Sequence, residues 1–291
     1  MGVSRGGGKR AIFAYGNTGS DVSMSNLVTS SGVIGSDVTG VGTARYVLAA
    51  ASYGTDKAIF AYGYSGGNVS ISNLVSSSGV IGSDVTGVGT ARNSLAAASY
   101  GTDKAIFAYG NNGSNVSMSN LVTSSGVIGS DVTGVGTARQ VLAAASYGTD
   151  KAIFAYGGTT LGYVSMSNLV SSSGVIGSDV TGVGTARNNL AAASYGTDKA
   201  IFGYGDSGSN ASLTNIVSSA GVVASDVTGV GSARRSLAAA SYGTDKAIFG
   251  YGYTTVAVSM TNLVNSAGVV ASDVTGVGTA RRWLAASSYG S

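Results

Sequence analysis

The 291-residue chain contains no proline, no cysteine, no histidine and, read position by position, no glutamate. Without an imidazole, a thiol or a glutamate it holds no Ser/His/Asp or Cys/His nucleophilic site, no zinc site of the Cys/His kind and no disulfide framework. No catalytic residue is therefore assigned, no metal or cofactor is expected, and the sequence reads as non-enzymatic. Charge is scarce as well. Ionised residues make up 10% of the chain, against roughly 25% in a typical globular domain, so Ser, Thr, Asn and Gly must cover the surface. The net charge of +3 is spread over single basic residues and lacks the clustered footprint of a nucleic-acid binder. No run approaches the ~18 apolar residues of a membrane span, and the first ten residues carry no apolar secretory signal. A virion-associated and a cytoplasmic location both stay open, as do a monomer and a subunit of a larger assembly.

What is present is a repeat. The segment Lys57-Ala58-Ile59-Phe60-Ala61-Tyr62-Gly63 recurs with its basic residue at 10, 57, 104, 151, 199 and 246, so six copies of a unit of 47 or 48 residues fill the chain. A period of this size marks a solenoid, a propeller or an array, and the pattern inside the unit decides among them. One unit reads Tyr46 to Tyr53, a Gly-Thr-Asp turn, Lys57 to Tyr62, a Gly-rich stretch, Val69 to Val75, a Ser-rich turn, and Val80 to Thr86. These are four short strands rich in Val, Ile, Tyr, Phe and Thr, punctuated by Gly, Asp and Ser. The expectation is an all-β, six-bladed β-propeller of four-stranded antiparallel blades, a fold that protects strand edges by radial repetition. Residues 1–8 read as a flexible Gly-rich tail and residues 9–291 as one domain. Small Ala49, Ala50, Ala51 and Ser52 suit a strand crowded near an axis, and Ile59, Phe60 and Tyr62 the wider gaps between blades. The chain opens on a second strand near Lys9 and Arg10 and ends on a first strand, Trp283 to Tyr289. The C-terminal strand should therefore pair with the N-terminal blade and close the ring.

The stretch Thr90-Ala91-Arg92, two variable residues, then Leu95 to Gly110 resembles the kelch repeat, with its Arg before the inner strand and its glycine-ended second strand. The likeness covers nearly the whole chain, with Tyr-Gly in place of the double glycine and no fourth-strand Trp. It implies a binding module. Aberrant repeats of this kind also resemble those of phage and bacterial surface proteins, which implies a virion or surface setting.

The copies differ in two windows. One is the pair after the recurrent Arg: Tyr46-Val47, Asn93-Ser94, Gln140-Val141, Asn188-Asn189, Arg235-Ser236 and Arg282-Trp283. The other follows the Tyr-Gly of strand two and carries Tyr64, Asn111, Tyr163 and Tyr253. In a meander these two loops leave the same end, and loops on a rigid scaffold are where binding usually sits. Aromatic and Arg anchors among Ser, Gly and Asn resemble the composition of evolved recognition surfaces. The candidate ligand-binding set is thus Tyr46, Tyr64, Asn93, Asn111, Gln140, Tyr163, Asn188, Arg235, Tyr253, Arg282 and Trp283, facing a protein or a glycan. Unselected drift of loops after duplication explains the same variation equally well. A structural or artificially symmetrised scaffold with no ligand is the competing functional class. The recurrent Asp (37, 84, 131, 179, 226, 273) and Arg (45, 92, 139, 187, 234, 281) offer either rings around an ion or structural pairs between neighbouring strands. Buried ions are normally paired, which favours the second.

Overall fold

A computed structural model of the chain describes residues 9–290; the Gly-rich stretch 1–8 read as a tail lies outside them. The described chain is all-β, with six antiparallel three-stranded sheets. Sheet two shows the plan. Its strands Ala49–Tyr53, Lys57–Ala61 and Ser72–Val75 lie side by side in that order. The first strand alternates, burying Ala49, Ala51 and Tyr53 on one face, while the central strand is buried on both faces beyond Lys57. This is why Ala-Ile-Phe-Ala tolerates no polar residue and the Ala-rich strand does. Sheets three to six repeat the plan around the central strands Lys104–Ala108, Lys151–Ala155, Lys199–Asp206 and Lys246–Tyr253. Sheet one is assembled from both ends of the described chain. Ala285–Tyr289 pairs antiparallel with Arg10–Ala14, from Arg10 opposite Tyr289 to Ala14 opposite Ala285, and Ser25–Val28 lies on the other side. The expected pairing of the last strand with the N-terminal sheet is present.

The fourth strand is a correction. Val80 to Thr86 forms no strand; beside the third strand it makes two isolated bridges, Val75 to Ile81 and Ser72 to Val85, and a hydrogen bond from the Gly82 amide to the Leu74 carbonyl. Three steps on one side face four on the other, an extra residue that breaks the ladder as a β-bulge does. Asp84 is the reason the extra residue is kept. Its carboxylate accepts the Thr43 amide and hydroxyl from the preceding repeat and the Asn73 side-chain amide. Burial raises its pKa, but these hydrogen bonds outweigh that and hold it below the usual value.

The core lies between sheets. Ala49, Ala51, Tyr53, Ile59 and Tyr62 of sheet two meet Leu95, Phe107, Val122 and Ile128 of the next repeat. The same contact recurs at every step, and sheet six packs on sheet one through Ala238, Tyr242 and Ile248 against Phe13, Val28 and Ile34. Each recurrent Arg bolts such a seam. Arg45 is fully buried and donates Nε to the Tyr62 carbonyl at 2.9 Å and a terminal nitrogen to Asn73 Oδ1 at 2.7 Å. Its guanidinium lies 4.3 Å from the Tyr15 ring centroid of the preceding repeat. The six arginines are therefore structural, and four of them, Arg139, Arg187, Arg234 and Arg281, also lie 3.8 to 3.9 Å from an Asp carboxylate. Arg281 repeats the bonding across the sixth seam, to Tyr15 and Asn26 of the first repeat.

Candidate functional site

In every repeat the two variable windows meet in one antiparallel bridge: Tyr46 to Tyr64, Asn93 to Asn111, Gln140 to Gly158, Asn188 to Asp206, Arg235 to Tyr253 and Arg282 to Asn17. The local cause is a backbone kink at the Tyr-Gly pair. Tyr62 and Gly63 both take positive φ, 64° and 108°; the strand of sheet two ends just before them, while in sheets five and six the same kink is a bulge within a strand that continues. Gly63 is required there, because a Cβ would sit 2.9 Å from the Tyr46 carbonyl oxygen.

The second residue of each variable pair has a different task from the one expected of Trp283. Val47, Ser94, Val141, Asn189, Ser236 and Trp283 all adopt φ between 47° and 57°. Their amides donate in sequence, Ser94 to Val47, Val141 to Ser94, Asn189 to Val141, Ser236 to Asn189, Trp283 to Ser236, and Val47 back to Trp283, at 2.8 to 3.0 Å. Six backbone hydrogen bonds thus form a cycle that the strained backbone maintains. Sequence reading missed this, since valine is among the residues least suited to a left-handed backbone. With Leu48 and its five copies, these residues line a shallow depression of about 70 Å³.

Around that cycle the first residues of the pairs divide into two halves. In one, rings and guanidinium groups stack in succession. The Tyr64 and Tyr46 ring centroids are 5.6 Å apart, and those of Tyr46 and Trp283 are 5.4 Å apart. Arg282 lies over Trp283 at 4.1 Å and over Tyr253 at 4.6 Å, and Arg235 over Tyr253 at 5.3 Å. Arg235 also donates to Asp206 at 2.7 Å and to Asn210 at 3.2 Å. Burial, followed by the charge of Asp21, pushes the Tyr46 phenol up. Asp206 and Tyr253 end the central strands of sheets five and six, whose hairpins continue through the loop as Lys199–Asp206 with Asn210–Val217 and Lys246–Tyr253 with Ala257–Val264. Strands thus hold Asp206 and Tyr253, while Tyr46, Tyr64, Arg235 and Arg282 are held by isolated bridges.

The other half carries amides. Asn93 donates to Asn68 Oδ1 at 2.6 Å, and Asn189 donates to Asn188 at 3.1 Å. Gln140 pairs through its backbone with Gly158. Asn111 accepts the Gly113 amide at 2.9 Å, so its side chain closes its own turn. Tyr163 stands apart from the stacked rings. It ends a two-residue ladder, Gly158–Thr159 with Gly162–Tyr163, that lifts Leu161 fully into solvent. Asn68, Asp206 and Asn210 join the network although the expected set lacks them; their signal was membership of the second variable window.

The opposite end opens into a larger cavity of about 180 Å³, lined by the near-constant Gly-Thr-Asp-Lys turns and by the inward serines. Those serines are mostly self-satisfied: Ser99, Ser146, Ser194 and Ser241 each donate to the carbonyl of the matching serine one repeat earlier, at 2.8 to 2.9 Å. Among the described residues no helix is long and apolar enough to cross a membrane. No protein-family model matches the chain, and no curated protein matches it in sequence.

Proposed function

We propose that the six sheets are the blades of one closed, kelch-like β-propeller, and that the protein is a non-enzymatic binding module whose variable end engages a protein or glycan. The closed reading is supported by the Ala285–Tyr289 pairing with Arg10–Ala14 and by the cycle of six amides. The observation that carries the binding reading is the half-exposed arc of Tyr64, Tyr46, Trp283, Arg282, Tyr253 and Arg235 on a backbone cycle that fixes it. Preordered aromatic and Arg side chains are where binding energy concentrates, because little side-chain freedom remains to be lost. The absence of His, Cys and Glu supports a module without catalysis, and the repeat likeness supports a virion or surface setting.

The test is a protein and glycan array probed with the parent chain and with Tyr46, Tyr253 and Trp283 changed together to Ala. Any hit should be lost in the triple variant, since truncation at a hot spot costs about 2 kcal/mol or more. Thr55→Ala and Asp103→Asn, on the opposite end, should keep it within a few tenths of a kcal/mol. A folded parent with no hit on either array would leave the ligand-free scaffold as the better reading.

A further inference from the structure

We propose that Arg282 is an oxyanion-binding residue and that the ligand of the variable end is an acidic polysaccharide, one whose carboxylate or sulfate groups its guanidinium receives. This rests on the binding-module reading and goes beyond it in naming the ligand chemistry.

Three comparisons within the molecule single out Arg282. The first is with the recurrent arginines, which are buried and hydrogen-bonded on several sides; Arg139, for example, donates to Tyr156, Thr137, Phe154 and Asn168. The second is with Arg235, the equivalent residue one repeat earlier, whose charge is met by Asp206 at 2.7 Å. Arg282 by contrast makes no side-chain hydrogen bond and no ion pair among the described residues. The third is with Asp21, in the loop that pairs with Arg282: its carboxylate accepts the Asn17 side-chain amide at 3.0 Å and forms no ion pair with Arg282.

The guanidinium is nevertheless held. Its carbon lies 4.1 Å from the Trp283 ring centroid and 4.6 Å from that of Tyr253. Rings against the flat of a guanidinium leave its edge N–H donors as the accessible part, and that edge matches the paired oxygens of a carboxylate or sulfate. Stacking also removes the ordering loss that a free Arg would suffer on binding. The surroundings select a saccharide. Half-exposed Tyr46 and Tyr64 offer apolar ring surface, and Asn188, whose side-chain oxygen accepts from Asn189, keeps amide N–H donors for hydroxyl groups. One uncompensated cation on the face suits a chain with widely spaced charges. A nucleic acid carries a charge on every residue and calls for several cations in a row.

Trp283 is the only tryptophan of the chain, and Arg282 covers its ring, so intrinsic fluorescence reports on this site directly. The parent chain is titrated with polygalacturonate, dextran sulfate, neutral dextran and single-stranded DNA. A saturable fluorescence change is expected with polygalacturonate, dextran sulfate or both, the responding polymer telling carboxylate from sulfate, and the affinity should fall as salt rises. Arg282→Gln should weaken it at least tenfold, Arg282→Lys nearly as much for want of a planar edge, and Arg235→Gln less than threefold. Each variant is first shown to melt as the parent does. Equal binding of neutral dextran, an undiminished Arg282→Gln, or tighter binding of DNA than of either acidic polysaccharide overturns the proposal. So does silence toward both acidic polymers; if the arrays nevertheless give a hit lost in the aromatic triple variant, the binding-module reading stands, and if they give none it falls too.

Discussion

The seam between the last and first repeats can be tested against an internal seam with the same chemistry. Arg281 donates Nε to the Tyr15 carbonyl at 3.0 Å and terminal nitrogens to Thr279 at 3.2 Å, Phe13 at 3.4 Å and Asn26 Oδ1 at 2.7 Å. Arg139 makes the matching four bonds at 3.0, 3.2, 3.4 and 2.7 Å, and each lies 4.3 Å from a Tyr ring centroid. Methionine at either site fills much of the aliphatic space but leaves an Asn oxygen and backbone carbonyls without donors. Each orphaned buried acceptor costs about 1–3 kcal/mol, and a desolvated cation–π contact adds about 2 kcal/mol. Relief of the guanidinium's own desolvation offsets part of this, so the net cost should resemble breaking a buried ion pair, about 3–5 kcal/mol. Urea unfolding followed by far-UV circular dichroism would read it as a midpoint shift at constant slope. Arg281→Met and Arg139→Met should agree within about 1 kcal/mol, because their environments do. A loss below about 1 kcal/mol for Arg281→Met beside 3–5 for Arg139→Met would refute the closed seam; small losses at both would refute the account of the arginines as bolts.

Alkaline titration probes the same seams. Burial, opposed by the neighbouring Arg45 and Arg187, pushes the Tyr15 and Tyr156 phenols up to about 12 from an ordinary value near 10. The folded state thus holds these protons more tightly than the unfolded state. Their stabilisation is complete below about pH 10 and is lost as pH rises towards 12, by about 2–3 kcal/mol for each of the two. Phenolate absorbance should therefore rise in two steps, the later one coinciding with loss of circular dichroism; unfolding that begins well below pH 10 would contradict this. At the backbone cycle, Val47 at φ 47° occupies a conformation that Asn189 adopts at 51°. A left-handed backbone costs a β-branched residue about 1–2 kcal/mol, and Asn less. Val47→Asn should thus raise the melting temperature by about 2 °C in calorimetry, and a drop would show that the valine's contacts in the depression matter more than its strain.

The sequence alone determined the period and the first three strands of each unit. An Ala-Ile-Phe-Ala run between turn residues has one stable use, a strand buried on both faces, and six copies of it need six neighbours. The pairing of the last strand with the first sheet was also expected from the sequence, and Arg10 to Ala14 does receive Tyr289 to Ala285. The meeting of the two variable windows was also legible, since alternating strand direction sends both loops to one end. Tertiary structure decided the rest. The segment Val80 to Thr86 reads as a strand by composition, yet Asp84 turns to the Thr43 of another repeat and breaks the ladder, a contact 41 residues distant that no local pattern encodes. Likewise, nothing in Arg282 or Arg235 as letters tells a free guanidinium from a neutralised one. That difference arises only where the hairpin of sheet five delivers Asp206 to one of them and no carboxylate to the other.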